Sequence, residues 1–182
     1  MVDTQNSITI RALSEADAEP FWALRLRALR EEPESFSADF EEFADVPMAD
    51  VSKRLQESED AFVLGAFTPN LVGVVGFYRR PGRKSRHKGN IWGMYVAPEA
   101  RAEGVGRALM LALISRTSSI AELEELTLTV VVTKEAARSL YLSLGFKSYG
   151  VEPKALKLPN RYLDEELMAL SLARDNHGLQ TS

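Results

Sequence analysis

"MYVAPEARAEGVGRALM", residues 94–110, decides how this chain of 182 residues is read. A β-prone apolar segment ends at Val96, turns at Pro98 and runs into a helix-forming stretch. Gly104 and Gly106 stand at the helix entrance, between Arg101 and Arg107. The first turn of a helix leaves backbone N–H groups unpaired and carries the positive end of the helix dipole, and glycines let a bulky anion approach the main chain. Two phosphate-binding designs are excluded. A P-loop requires Lys and then Ser or Thr after its second glycine, where this chain has Arg107 and Ala108. A dinucleotide fingerprint requires a third glycine where Leu109 stands. What remains is Arg101-x-x-Gly104-x-Gly106 opening a helix, read either as an anion cradle or as a plain strand-to-helix turn with two solvated arginines.

Upstream, "NIWGMYV" (90–96) reads as a fourth strand, with Gly93 marking a bulge or the close approach of another group. "AFVLGAF" and "LVGVVGFY" flank "TPN" and predict an antiparallel hairpin. "SITIRAL" (7–13) is a first strand; Ser14 then caps a helix whose Phe21, Leu24 and Ala28 recur at helical spacing until Pro33. Residues 31–60 are acidic and irregular, broken at Pro33 and Pro47, with "MADVSKRLQES" as a short second helix, and form the expected specificity-bearing region. Downstream, "GRALMLALISRTS" is a helix and "LTLTVVV" a fifth strand. Thr133 is expected to cap the next helix, whose Ala137, Leu140, Tyr141 and Leu144 form one apolar face, and Gly145 to stop it. "FKSYGVEPKALKL" and "RYLDEELMALSL" complete the order β, α, α, β, β, β, α, β, α, β, β, which predicts a mixed sheet with helices on both faces.

With 45% hydrophobic and 26% charged residues, the chain reads as one domain, 1–174, followed by a polar tail, 175–182. A net charge of -4 provides no global basic field, so nucleic acid is not an expected partner. There is no cysteine and only two histidines, which removes disulfides, thiolate catalysis and a typical zinc site, and no metal is expected. Neither a secretory pattern nor an apolar run of membrane-spanning length is present, so a soluble cytoplasmic protein is expected, without membrane partners.

The opening stretch, taken with "TKEAARSLYLSLGF" (133–146), resembles the two-part signature of the Gcn5-related N-acetyltransferase (GNAT) superfamily. The first part is Arg/Gln-x-x-Gly-x-Gly/Ala after a strand; the second is similar to Asn-x-x-Ala-x-x-Leu-Tyr-x-x-x-Gly-Phe, with Ala137, Leu140, Tyr141, Gly145 and Phe146 in place. Lys134 stands where that pattern has asparagine. The resemblance implies a GNAT-like three-layer α/β/α fold whose mixed sheet of about seven strands splays between strands 4 and 5. It implies acetyl-CoA as cosubstrate, the pantetheine arm pairing with backbone at Met94, Tyr95 and Val96. The pyrophosphate is expected on Arg101, Ala102, Glu103 and Gly104 before the helix, then on Val105, Gly106, Arg107 and Ala108 in its first turn, with Lys134 and Ala137 nearby.

The resemblance makes Tyr141 the catalytic candidate, its phenol assisting departure of the thiolate; on helical spacing alone it reads as a core tyrosine. Gly93 is expected to turn a backbone N–H toward the thioester carbonyl. Glu41, Glu42, His87, Glu152 and Asp164 are ionisable groups from which no base is chosen. The acidic stretch "EEPESFSADFEEFAD" (31–45) suggests a cationic acceptor, with Phe36, Glu41 and Trp92 as substrate-binding candidates. The implied activity is acetyl transfer to a primary amine by direct attack in a ternary complex, a small-molecule amine being favoured over a protein N-terminus. The chain is expected to be a monomer or homodimer. The rival reading is a non-catalytic acyl-CoA-binding sensor or interaction module.

Overall fold

A computed structural model describes residues 7–172; the expected tail, 175–182, lies outside them. Seven strands form one sheet: β1 (Thr9–Ala12), β2 (Ala61–Phe67), β3 (Leu71–Arg79), β4 (Lys88–Val96), β5 (Glu125–Val131), β6 (Lys147–Leu158) and β7 (Arg161–Ser171). Their order is β1-β2-β3-β4-β5-β7-β6. Every neighbouring pair is antiparallel except β4 and β5, whose connection crosses the sheet through α4 (Val105–Ser118).

That parallel pair is short. It holds only at Lys88↔Glu125, Gly89↔Leu126 and Asn90↔Thr127, and the remaining halves of both strands run on without pairing each other. The divergence begins where β4 bulges. Val74 pairs with Tyr95 and Gly76 with Trp92, so Gly93 and Met94 together oppose Val75. Gly93 has φ 62, a left-handed conformation that residues with a Cβ adopt at a cost. The extra residue bends β4 away from β5 over the stretch where the sheet opens.

Both faces of the sheet are covered, which is why β2 and β3 read as nearly continuous apolar runs. Phe62, Leu64, Val75 and Phe77 point to the side of α4, against Leu109 and Leu113, and α5 (Glu135–Ser143) adds Tyr141 to the same core. Val63, Val74 and Tyr95 point the other way, against Phe21 and Ala28 of α1 (Ala18–Glu31) and against Val51 of α3 (Met48–Arg54). Each fully buried side chain of this size contributes about 1.5–3 kcal/mol.

Three local expectations are corrected. Ser14 caps a 3-10 turn, Glu15–Asp17, and α1 begins only at Ala18; the Ser14 N–H donates to Asp17 Oδ2 at 2.8 Å, while Arg11 holds the same carboxylate at 2.6 Å. The acidic stretch contains an unexpected turn of helix, α2 (Phe40–Phe43), capped by Asp39, and α3 stops at Arg54. The cap position of α5 is Lys134, not Thr133, and no side chain bonds there. Gly145 ends α5 with φ 94, as the helix-stop reading requires. Among the described residues no helix is long and apolar enough to cross a membrane.

Candidate active site

The splay between β4 and β5 opens into a cleft of about 1030 Å³. One wall is Met94–Val96 and the other Thr129–Val131; Tyr141 closes the inner end, and the glycine turn with Lys134 forms the rim. The strand edges that face each other across it have lost their ladder partners, so their polar groups are available to a ligand.

The glycine turn is built for an anion. Among the described residues, the backbone N–H groups of 102–107 have no hydrogen-bond partner, and the first helical bond runs from the Ala108 N–H to the Gly104 carbonyl at 3.0 Å. Ala108 is thereby removed from the expected cradle, and Glu103 does not line the cleft. Ala102 at φ 63 and Gly104 at φ 81 alternate with extended or helical neighbours, a sequence of conformations that turns successive N–H groups into one concavity. The two glycines do different jobs. Above Gly104 there is no atom within 4 Å of where a Cβ would sit, so the main chain is open to a bulky ligand. At Gly106 a Cβ would meet Met94 Cε at 3.2 Å, so that glycine lets α4 approach the cleft wall.

The cations of the rim already have partners. Arg101 donates from Nε to the Val96 carbonyl at 2.9 Å and pairs with Glu32. Lys134 Nζ lies 3.8 Å from Glu32 and 4.0 Å from Glu34, and Glu34 also holds Arg161, the first residue of β7. Burial pushes the Glu32 carboxyl up, but the Arg101 hydrogen bond, with help from Ser35 and Lys134, outweighs it and holds the group below its ordinary range. Glu31 pairs with Arg27 at 2.9 Å and accepts from the Tyr95 hydroxyl at 3.3 Å. The acids that the 31–45 stretch brings to the cleft, Glu31 and Glu32, are therefore met by cations of the fold, which weakens the electrostatic case that this stretch makes for a cationic acceptor. Arg107 donates to Ser143 Oγ at 3.0 Å.

Tyr141 is 6% exposed and lines the cleft, so the core reading and the site reading both describe it. Its hydroxyl has no partner among the described residues, and burial pushes its pKa up to about 12. Ala137 lies one turn earlier on the same wall. Phe36 lines the cleft as well, its ring 6.4 Å from that of Tyr95. Trp92 and Glu41 do not. Trp92 packs across Gly76, where a Cβ would fall 2.1 Å from the indole, and Glu41 is exposed on α2. The ionisable groups picked from the sequence, Glu41, Glu42, His87, Glu152 and Asp164, all lie off the cleft wall; Asp164 accepts from the Lys154 N–H at 2.7 Å.

Two groups were not singled out in the sequence. Glu165 pairs in register with Val131 of β5 and Glu152 of β6. Burial first, then the Glu152 charge, raise its pKa, while a hydrogen bond from Thr129 on the cleft wall opposes them. Its signal was faint, since the acidic run "DEE" reads as a solvated strand. Arg25 had a clearer one: it lies four residues after Phe21 on the stripe that α1 buries.

The donors present suit coenzyme A: a row of free amides for a pyrophosphate, unpaired strand edges for an amide-bearing arm, and a phenol at the inner end. The comparisons with known proteins agree. Residues 23–146 match the family model described as "Acetyltransferase (GNAT) family". A GNAT-family acetyltransferase from Streptococcus pneumoniae superposes with a TM-score of 0.82 at 22% identity, covering 92% of this chain and 100% of that one. A ribosomal-protein-alanine N-acetyltransferase from Brucella melitensis gives 0.77 at 25% identity, over 90% and 99%. A putative acetyltransferase from Salmonella typhimurium, solved with its cofactor acetyl-CoA, gives 0.76 at 21%, over 97% and 99%. Fold and cleft thus define an α/β acyltransferase. The chain belongs to the GNAT acetyltransferase family, for which acetyl-CoA is the typical donor.

Proposed function

We propose that this chain transfers an acetyl group from acetyl-CoA to a primary amine by direct attack within a ternary complex, a small-molecule acceptor being favoured over a protein N-terminus. The observation that carries this reading is the free amide row at residues 102–107 opening onto a cleft that ends at an unpartnered tyrosine hydroxyl. Ala102, Gly104, Val105, Gly106 and Arg107 hold the pyrophosphate; Met94, Tyr95 and Val96 hold the pantetheine arm by their backbone.

Bound acetyl-CoA supplies a thioester, and the chain's own groups manage charge and protons around it. The bulge at Gly93, which interrupts the regular ladder, supports assigning a backbone N–H there to the oxyanion. An alkylammonium with a pKa of about 10.4 must lose a proton before its nitrogen can attack. Glu165 does not itself line the cleft, but it bonds Thr129, which does, and its pKa is raised; it is therefore the group assigned to take that proton, through water on the Thr129 side. Tyr141 donates a hydrogen bond to the departing sulfur. A thiolate whose conjugate thiol has a pKa of about 8.5 is too weak a base to strip a phenol near 12: full transfer would cost on the order of 5 kcal/mol, so the tyrosine stabilises the thiolate and keeps its proton.

The reading is tested by release of free thiol from acetyl-CoA across a broad panel of primary amines. Release above the hydrolysis background with at least one acceptor is expected. No release with any amine, while acetyl-CoA still binds, would instead favour a non-catalytic acyl-CoA sensor.

A further inference from the structure

α1 carries an arginine inside its buried stripe. Arg25 is 9% exposed, and its Nη1 has no hydrogen-bond partner. The guanidinium stacks 4.7 Å from the centre of the Phe36 ring and 6.0 Å from that of Trp92. It also faces the bulge of β4: a Cβ on Gly93 would lie 3.6 Å from Nη1. No carboxylate pairs with it among the described residues. The charge that bears on it is another cation, Arg54; burial first, then Arg54, lower its pKa to about 10, so it stays charged at neutral pH. Trp22, one turn earlier, has a second buried donor without a partner, its indole N–H. Arg54 lies over the rings of Trp22, at 5.4 Å, and Phe43, at 5.2 Å. Beneath the segment 36–43, the fold thus gathers two arginines and two orphan donors among aromatic rings.

A buried cation without a counter-charge is among the most unfavourable arrangements a protein interior can hold. The acidic residues nearby, Glu31, Glu32 and Glu34, are engaged by Arg27, Arg101, Lys134 and Arg161 instead. Phe36 separates the guanidinium from the cleft by one ring: one face meets Arg25, and the ring also lines the cleft beside Tyr95. A ligand group in the cleft reaches Arg25 only by displacing this half-buried ring. Gly93, expected to face the reacting carbonyl, lies on the Arg25 side and next in the chain to Met94 of the cleft wall.

We infer that Arg25 is a specificity residue that binds an anionic oxygen group of the acceptor, so that the amine acetylated here carries a carboxylate or similar oxyanion a few bonds from its nitrogen, as an amino acid does. The inference rests on the proposed acetyl transfer for the amine and on the orphan guanidinium for the anion. A planar guanidinium reads such a group with two parallel hydrogen bonds. A protein N-terminus offers an amide carbonyl at the equivalent position and leaves the charge unmatched. This chemistry reverses the expectation of a purely cationic acceptor.

The test compares equilibrium binding of N-acetyl amino acids with that of their uncharged N-acetyl amides, by calorimetry in the presence of coenzyme A. It thereby tests the anion site without requiring turnover. The wild-type protein is expected to favour the best acid over its amide by at least about tenfold, as for a hydrogen-bonded charge pair. Arg25→Met is expected to remove that preference while coenzyme A affinity stays within about twofold; Arg25→Lys keeps the charge without the fork and retains roughly threefold. Equal binding of acids and amides by the wild type would overturn the inference, as would a folded Arg25→Met or Arg25→Lys protein with the full wild-type preference. If the acids are preferred through Arg25 but no amine releases thiol, the anion site stands and the transferase reading fails.

Discussion

Replacing Tyr141 by phenylalanine removes one oxygen from the inner end of the cleft and nothing else. The ring is 6% exposed and packs 6.0 Å from Phe146, contacts that phenylalanine preserves. The hydroxyl has no protein partner to strand, so folding stability at neutral pH should be unchanged or slightly higher. Its proposed work begins only as charge develops on the sulfur. A hydrogen bond to a charged acceptor is worth about 1.5–3 kcal/mol, which corresponds to a fall in kcat of roughly 10- to 150-fold with little change in acetyl-CoA affinity. Rapid-mix single turnover followed by thiol release measures the chemical step, and calorimetry measures the cofactor Kd. A mutant with kcat within about twofold of wild type, or one whose Kd weakens as much as kcat falls, would refute the assignment. Alkaline titration adds an independent check. A phenol held near 12 against about 10 in the unfolded chain favours the native state below pH 10, and that contribution is lost as the pH rises through 12. The loss amounts to about 3 kcal/mol and should be missing in the phenylalanine variant.

Gly104→Glu puts a side chain and a negative charge over the free amides at a φ of 81, and acetyl-CoA affinity measured by calorimetry should fall by more than about 100-fold; unchanged affinity would displace the cradle. Glu165→Gln should lower kcat by on the order of 100-fold and abolish an acid limb of the pH–rate profile lying above the ordinary carboxylate range. Because the raised Glu165 pKa favours the native state only at acid pH and loses that contribution as the pH rises through it, the same variant should melt no lower than wild type at neutral pH, which separates a catalytic role from a structural one. Asp17→Asn removes a carboxylate that the Arg11 hydrogen bond draws down to about 2. Its stabilisation is present above about pH 4 and disappears as the pH falls through 2, so the variant should lose about 1–2 kcal/mol at neutral pH, Arg11 being half exposed, and nothing in strong acid, as read by urea denaturation.

Elements specified by local rules were legible in the chain. The alternation in β5, the apolar stripe of α5 with Gly145 behind it, and the paired glycines before α4 each follow from backbone geometry acting over a few residues. The turn from 102 to 107 belonged to this class: helix physics alone marks it as an anion site, and the resemblance carried by "ARSLYLSLGF" says which anion. Gly93 could be read as a bulge for the same reason. Lys134 stands where the family pattern has asparagine, a departure legible in the chain, yet its partners, Glu32 and Glu34, are about a hundred residues away.

Charge bookkeeping was where local reading failed. "EEPESFSADFEEFAD" looks like a field for cations, but Glu31, Glu32 and Glu34 are met by Arg27, Arg101, Lys134 and Arg161, most of them brought there by other strands and turns. Trp92 and Glu41 looked like acceptor contacts, and the alternation of β4 and the cap of α2 direct them elsewhere. The sequence by itself determined the order of the seven strands, the amide turn and the tyrosine helix, because each depends on neighbours within a turn or a strand. Only the tertiary structure decided how far β4 and β5 separate, that Glu165 stands beside Thr129, and that Arg25 is buried beside Phe36 and Gly93 without a counter-charge. Burial and pairing are properties of groups that meet across the sheet, and electrostatic energy depends on those distances and not on position in the chain.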